Sequence, residues 1–448
     1  MNKSFKLWSV SILLVLAILA CGLPTDTPTP PAITDTGIPP GPTETASPTP
    51  EPGIITPSPT ATTPPPVLQV AYVKGENVWL WTEGVGTVQL TVSGSVSDVC
   101  ISDDGQVLAY TREAAPLQPE IRAINRDGSN ERILVSAADF QALYAAVTPP
   151  SASGVGPLQF EWRPGTHVLY FNGRPLYEGP GLTLFDDLQT VDADTLVRST
   201  LLNPGDGGRF YFSPDGNQLA ITTSTTISLV NADGSNLRPD VLTFLPVITY
   251  SEYLYYPRPA WAPDSGSLRV AIPPADPLVT PLPPTRLFHI PIDGSPAVNL
   301  GTILAMPFAW PDTAFSPDLS RIAYVMRVGI PTDNMRELHL ANADTSGDSV
   351  YFTGESVEFK HWLPNGNQFV FVQYGSVGVP GTHVGSVGGG YITLTTEPSQ
   401  IRNITWVDAS HYLYMWSNAG TWELRYGVLG GGSSLLDTST IWSYDFSY

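Results

Sequence analysis

From Val67 to the end of the chain, apolar and polar residues alternate in short runs, and each run stops at a cluster of Gly, Pro, Asp, Asn or Ser. Alternation with a period of two places successive side chains on opposite faces of a strand, so the pattern predicts many short β-strands. One unit recurs. An aromatic residue ends a strand, a Pro-Asp-Gly type turn follows, and an apolar strand leaves it, as in Phe212-Ser-Pro-Asp-Gly-Asn-Gln-Leu-Ala-Ile221 and Phe315-Ser-Pro-Asp-Leu-Ser-Arg-Ile-Ala-Tyr324. Further copies begin at Cys100, Trp162, Trp261 and Trp362, with a weaker one at Trp406. Pro presets φ, Asp bonds back to nearby backbone and Gly accepts a positive φ, which suits each residue to its place in the turn. Most copies are followed by a strand such as Glu120-Ile-Arg-Ala-Ile, Thr226-Ile-Ser-Leu-Val, Arg286-Leu-Phe-His-Ile or Glu337-Leu-His-Leu-Ala. Several of these run into an Asp-Gly hairpin, at Asp127-Gly128, Asp233-Gly234 and Asp293-Gly294.

One more strand completes the unit, and four strands repeating at intervals of about fifty residues make a blade. A blade cannot bury both faces alone and must stack on neighbours around an axis. Residues 67–448 are therefore predicted to be all-β, a closed β-propeller of four-stranded antiparallel blades. The turn motifs account for seven blades. Leu68 to Val92 supplies three more strands with no inner strand in front, and Ile441 to Tyr448 has the apolar, aromatic character of an inner strand. Pairing the two chain ends in one blade predicts eight blades and leaves no exposed sheet edge. The alternative is a seven-bladed ring with a dispensable tail. The Trp/Phe-Ser-Pro-Asp-Gly-x-x-Leu-Ala-Tyr pattern with its following Asp-Gly hairpin resembles the WD-like repeat of TolB-type propellers, most closely at 212–236 and 315–343. What the resemblance implies is architecture. Related blades serve periplasmic complexes, surface lipoproteins, lyases and serine peptidases, so the activity stays open.

Composition fits this picture and narrows the partners. Of the 448 residues only 14% are charged, against 40 Gly and 45 Pro, as expected for many strands joined by turns. A formal charge of -20 with only 21 Lys and Arg excludes nucleic acid, whose phosphates demand clustered cations. The first 66 residues have a different character. Lys3 and Lys6 precede an apolar run from Leu7 to Ala20, shorter than the ~20 residues a bilayer span needs, which reads as a signal peptide over residues 1–20. Ile18-Leu19-Ala20-Cys21 resembles a bacterial lipobox, and the resemblance implies cleavage before Cys21 and diacylglycerol on its thiol. Residues 22–66 hold 15 Pro, 12 Thr and four acids with no Lys or Arg. Such a stretch buries too little apolar surface to fold, and 21–66 is expected to be a disordered linker holding the propeller off a membrane. The expected location is extracytoplasmic, lipid-anchored to a bacterial membrane. Cys100 is left without a partner and is expected to pack in the core.

Catalytic constellations are weak. There is no Gly-x-Ser-x-Gly elbow, no His-Glu-x-x-His and no segment after the propeller to house a hydrolase triad. No cofactor or metal site is expected: the histidines at 167, 289, 339, 361, 383 and 411 are scattered among predicted strands. The enzyme alternative is a metal-dependent polysaccharide lyase or hydrolase type, with His ligands gathered from several inner strands. Asn125 to Asn130 and Asn231 to Asn236 repeat oxygen ligands but lack a twelve-residue calcium loop, and they are read as hairpins. The favoured function is non-catalytic binding of an envelope protein, peptide or glycan. Numbering strands a to d from the axis outward, the a–b and c–d turns share one face and are tight, whereas the b–c and d–a connections share the other. Long insertions fall on that other face, at 113–120, 138–156, 172–181, 273–285, 328–335 and 373–390. The segment Tyr250-Ser-Glu-Tyr-Leu-Tyr-Tyr-Pro-Arg258 lies there too, and Tyr250, Glu252, Tyr253, Tyr255, Tyr256 and Arg258 are the candidate ligand contacts.

Overall fold

A computed structural model describes residues 67–177, 183–251, 253–305, 314–329, 334–418, 420–438 and 443–448. The predicted signal peptide, Cys21, the Pro/Thr-rich linker and Glu252 lie outside the described residues. Those described form eight antiparallel blades. Blade one combines Gln69–Lys74, Asn77–Thr82 and Gly86–Gln89 with Tyr444–Ser447, which takes the innermost place. Blades two to five occupy residues 96–135, 154–202, 209–243 and 260–303, and blades seven and eight occupy 357–395 and 401–438. In blade six three strands span 321–355, and the innermost position is held by Phe315, which bridges to Ile322.

The strand at the C-terminus closes the ring, with pairing running from Gln69 opposite Ser447 to Tyr72 opposite Tyr444. The same strand bonds to both neighbouring blades. The Asp445 carboxylate accepts from Ile101 N of blade two at 2.9 Å, and Tyr444 Oη lies 3.1 Å from Thr405 Oγ1 of blade eight. Eight blades are therefore present rather than seven, and the mixed first blade removes both free edges.

The core lies between blades. Leu108, Ala109 and Tyr110 of blade two are fully buried, as are Leu219, Ala220 and Ile221 of blade four, so the apolar strand after each turn packs on both of its faces. The aromatic before the turn has a second task. The Trp162 indole donates to Cys100 O (3.4 Å), Trp261 to Tyr211 O (3.0 Å), Trp362 to Ala314 O (2.9 Å) and Trp406 to His361 Nε2 (3.1 Å). Each reaches back to the inner strand of the preceding blade, so one residue type fills the inter-blade gap and satisfies its own N–H. Cys100 is free, half-buried against the cluster formed by blades two and three, and burial pushes its thiol well up.

Several insertions expected as loops are partly strand, among them 172–181, whose first five residues continue Val168–Leu176. Residues 113–120 largely extend the hairpin of Val107–Ala115 with Gln118–Asn125. Within the Gly-rich stretch, Gly381–Ser386 is the third strand of blade seven. Glycine is needed there for close approach: a Cβ on Gly381 would lie 2.1 Å from Thr395 O, and one on Gly385 would lie 2.6 Å from the Phe369 ring.

Candidate binding site

The turn chemistry divides the ring into two faces. On the a–b side, Ser102, Ser213 and Ser316 each donate a hydroxyl to the Asp two residues on, at 2.7, 2.6 and 2.6 Å. The same carboxylates accept backbone N–H groups of Gln106, Asn217 and Ser320. Asp215 is held down at about 2, first by the Ser213 hydroxyl and then by Asn217 N. The c–d hairpins act alike, with Asp127, Asp233 and Asp293 accepting from Ser129, Ser235 and Ser295 N and a glycine at positive φ after each Asp. The two suspected oxygen-ligand turns are these hairpins, and their side chains bond within the turn.

The opposite face carries the b–c and d–a connections. The insertion after blade two folds back as helix Ala137–Tyr144, capped by Ser136 and Asp139, with Phe140 and Tyr144 fully buried. Tyr144 Oη donates to the buried Asp187 at 2.7 Å, which also accepts from Gly173 N and Gln189 Nε2. This insertion is structural. Between blades four and five, the predicted tyrosine segment divides in two. Tyr250 is 58% exposed with its hydroxyl on Asp276 Oδ1 at 2.7 Å, and Tyr253 is 48% exposed. Tyr256 is half-buried instead. Its hydroxyl donates to Asp186 Oδ1 at 3.1 Å and its ring lies 5.8 Å from the Arg209 guanidinium. Tyr255 is also half-buried, and burial raises its phenol. Arg258 is exposed with its guanidinium 6.0 Å from the Tyr211 ring. Of the six candidates, then, Tyr250 and Tyr253 present themselves to solvent, Tyr255 and Tyr256 pack, Arg258 sits over Tyr211, and Glu252 is outside the described residues.

Sequence reasoning missed what stands beside Tyr250. A 790 Å³ pocket opens between Tyr250, Leu278, Pro281, Leu304, Met326 and Arg327. In its lining Leu278 is 68% exposed, and Val279 and Leu304 are exposed as well; on the segment leading to Tyr250, Leu245 is 70% exposed and Ile248 is exposed too. The available signal was the run Pro277-Leu-Val-Thr-Pro-Leu282, apolar inside an insertion where polar residues are the norm.

The inner strands of blades one to three bring acids together. Solvent reaches Glu161, yet the surrounding protein raises it to about 7, with Asp445 and Asp103 adding to the rise and Arg258 opposing it. Burial lifts Asp445 to about 6. Histidines do not gather there. His289, His339 and His383 are on third strands, His167 and His411 lie at a–b turns, and His361 alone is on an inner strand. Among the described residues no group of three His, Cys, Asp or Glu could hold a metal ion.

The class this defines is an eight-bladed all-β propeller with one closed and one open face. No family model matches the chain, and no curated protein matches it. Several solved structures are similar to it at low identity. An oligogalacturonate lyase in complex with manganese is 13% identical, with 79% of this chain and 82% of that one covered and a TM-score of 0.41. The β-propeller domain of the Trilobed protease from Pyrococcus furiosus is 12% identical over 77% and 96%, TM-score 0.45. TolB from Acinetobacter baumannii is 14% identical over 64% of each chain, TM-score 0.30. Likeness this remote carries neither an architecture nor an activity over to this chain.

Proposed function

We propose that this chain is an extracytoplasmic binding module, anchored through lipid on Cys21 and spaced from its membrane by residues 22–66, that captures an envelope protein or peptide on its loop face. The observation that carries the reading is the 790 Å³ pocket lined by Tyr250, Leu278, Val279, Pro281 and Leu304, of which Tyr250, Leu278, Val279 and Leu304 are exposed. Contiguous exposed apolar surface on a folded domain marks a site of interaction, and tyrosine adds rigid area with a polar tip. The pocket's apolar lining favours a peptide side chain over a glycan as occupant. Crosslinking from a photoreactive group at Leu278, in cells expressing the full chain, tests this. A discrete crosslinked envelope protein, lost when Tyr250 and Tyr253 are both Ala, is expected. Crosslinks only from a matching position on the tight-turn face, such as Asn217, would overturn the reading. Anchoring is tested separately: Cys21→Ala abolishes labelling by a fatty-acid analogue, and labelling that survives refutes lipidation at Cys21.

A further inference from the structure

A second cavity lies about a quarter of the ring away, between blades seven and eight, and its chemistry differs. It measures 390 Å³, within the range of small-ligand sites. Val370 and Val372 of blade seven and Ile401 and Ile404 of blade eight line it, together with Lys360, Tyr374, Arg402 and Asn403. Tyr374 follows the second strand of blade seven, and Arg402 and Asn403 lie at the start of the inner strand of blade eight, so this end of the slot is its loop-side mouth.

Three observations point to a ligand. Arg402 is exposed, rests its guanidinium 4.8 Å from the Trp422 ring and has no hydrogen bond or ion pair among the described residues. A guanidinium over an aromatic ring with no other side-chain partner keeps its N–H groups available to a carboxylate. Lys360 adds a second cation, but its ammonium is already 2.7 Å from Glu358 Oε2. That neighbouring negative charge opposes a dianion and suits a ligand with a single charge. Inside the slot, Thr382 is only 1% exposed and its Oγ1 has no hydrogen-bond partner among the described residues. A buried hydroxyl left unmatched is unfavourable unless something supplies the bond.

We propose that the slot is a binding site for a small organic monocarboxylate carrying a second polar oxygen. The carboxylate lies on the Arg402 fork at the mouth, the apolar body lies between Val370, Val372, Ile401 and Ile404, and the oxygen at its far end bonds the Thr382 hydroxyl. This site is independent of peptide capture around Tyr250.

Titration calorimetry on the full chain tests it with 4-hydroxyphenylacetate, phenylacetate, the neutral 4-hydroxyphenylacetamide and inorganic phosphate. The hydroxylated acid is expected to bind, with the amide weaker by about tenfold or more, as loss of a charge-assisted bond implies. Arg402→Gln, an exposed change that leaves melting intact, should weaken the acid by a similar factor. Thr382→Val should weaken 4-hydroxyphenylacetate and leave phenylacetate unchanged, a split that mere repacking would not give. Tyr250→Ala with Tyr253→Ala should leave all of these values alone, so failure of peptide capture and failure of this site are told apart. No binding of either acid at millimolar concentration overturns the proposal. So does equal affinity for acid and amide, unaltered binding in the Arg402 variant, or displacement of the acid by phosphate at equal concentration.

Discussion

On the tight-turn face, the Ser213 hydroxyl, the Asp215 carboxylate and the Asn217 backbone close a hydrogen-bond circuit within five residues, and the circuit recurs at Ser102 and Ser316. On the loop face, Leu245, Tyr250, Tyr253 and Leu278 meet solvent instead. Both faces join the same strands. The difference is that a tight turn must satisfy its own backbone with the side chains it carries, whereas a longer connection is free of that constraint. Repetition therefore serves stability, and departure from repetition leaves room for recognition. The tight-turn face even locks blades together: His167 places Nδ1 2.8 Å from Asp194 and Nε2 3.2 Å from Asp104, joining blades three and two.

Both faces depend on a closed ring, so the largest effect is expected where the ring closes. Deleting residues 443–448 exposes the Gln69–Lys74 strand and removes the bonds from Asp445 to blade two and from Tyr444 to blade eight. The melting temperature should fall by several degrees, or the protein should aggregate through the open edge. An unchanged calorimetric melt would mean that the tail is dispensable. Next in size is a break within the tight-turn face. Asp215→Ala leaves the Ser213 hydroxyl and Asn217 N without their acceptor and should cost about 1–2 kcal/mol in denaturant unfolding. Ligand capture should not change, and a loss of capture with stability intact would reverse the assignment of the faces.

The closed face was also the more legible one. Phe212 to Ile221 states its turn in consecutive residues, and the alternating strands around it carry their own facing, so the blades and the mixed closing blade could be read directly. The loop face could be located by where the repeat lengthens, but its side chains could not be assigned. Tyr253 and Tyr256 look alike in sequence; what buries Tyr256 is Asp186, 70 residues away on another blade. The second strand of blade seven's partner, Gly381–Ser386, was hidden for a related reason: its glycines report how near Thr395 and Phe369 stand, which no local pattern encodes.

A smaller effect is expected from pH. Desolvation by the surrounding protein raises Glu161 to about 7 although solvent reaches its side chain, and burial raises Asp186 and Asp445 to about 6, from ordinary values of 4.5 and 3.8. A carboxyl that holds its proton more tightly when folded contributes stability that fades as pH rises through that window. His167 acts in the same direction. Burial works against its charge, but Asp194 and Asp104 outweigh burial and raise it above 6.5, so its contribution is present below that value and is lost as pH climbs through its folded pKa. Asp215, at about 2, contributes above 3.8 and loses this only as pH falls toward 2. His289 and His383, which burial holds below 6.5, act in the opposite sense over the same window. The carboxyl part is isolated by Asp445→Asn, which should make the melting temperature fall less, or rise more, between pH 5 and pH 8; an unchanged pH dependence in that variant would contradict the assignment.

The smallest change in stability is expected at the loop face, where the change in function should be greatest. Tyr250 has one side-chain hydrogen bond, to Asp276, and Tyr253 is bonded only through its backbone, to Ser251 and Thr249. Neither ring is buried in the core, so replacing both by Ala should alter unfolding free energy by no more than about 0.5 kcal/mol. Tyr256 is the internal control. Tyr256→Phe removes the hydroxyl's bond to Asp186 and keeps the ring beside Arg209, so it should lower stability by about 1 kcal/mol while the exposed pair does not. If Tyr250 and Tyr253 form a recognition surface, their double substitution abolishes capture of the crosslinked partner at unchanged melting temperature, and Tyr256→Phe lowers melting with capture retained. The reverse outcome, in which the exposed pair destabilises the ring and Tyr256 alone governs capture, would place recognition on the inner part of the segment, next to Asp186 and Arg209, and not at its solvent edge.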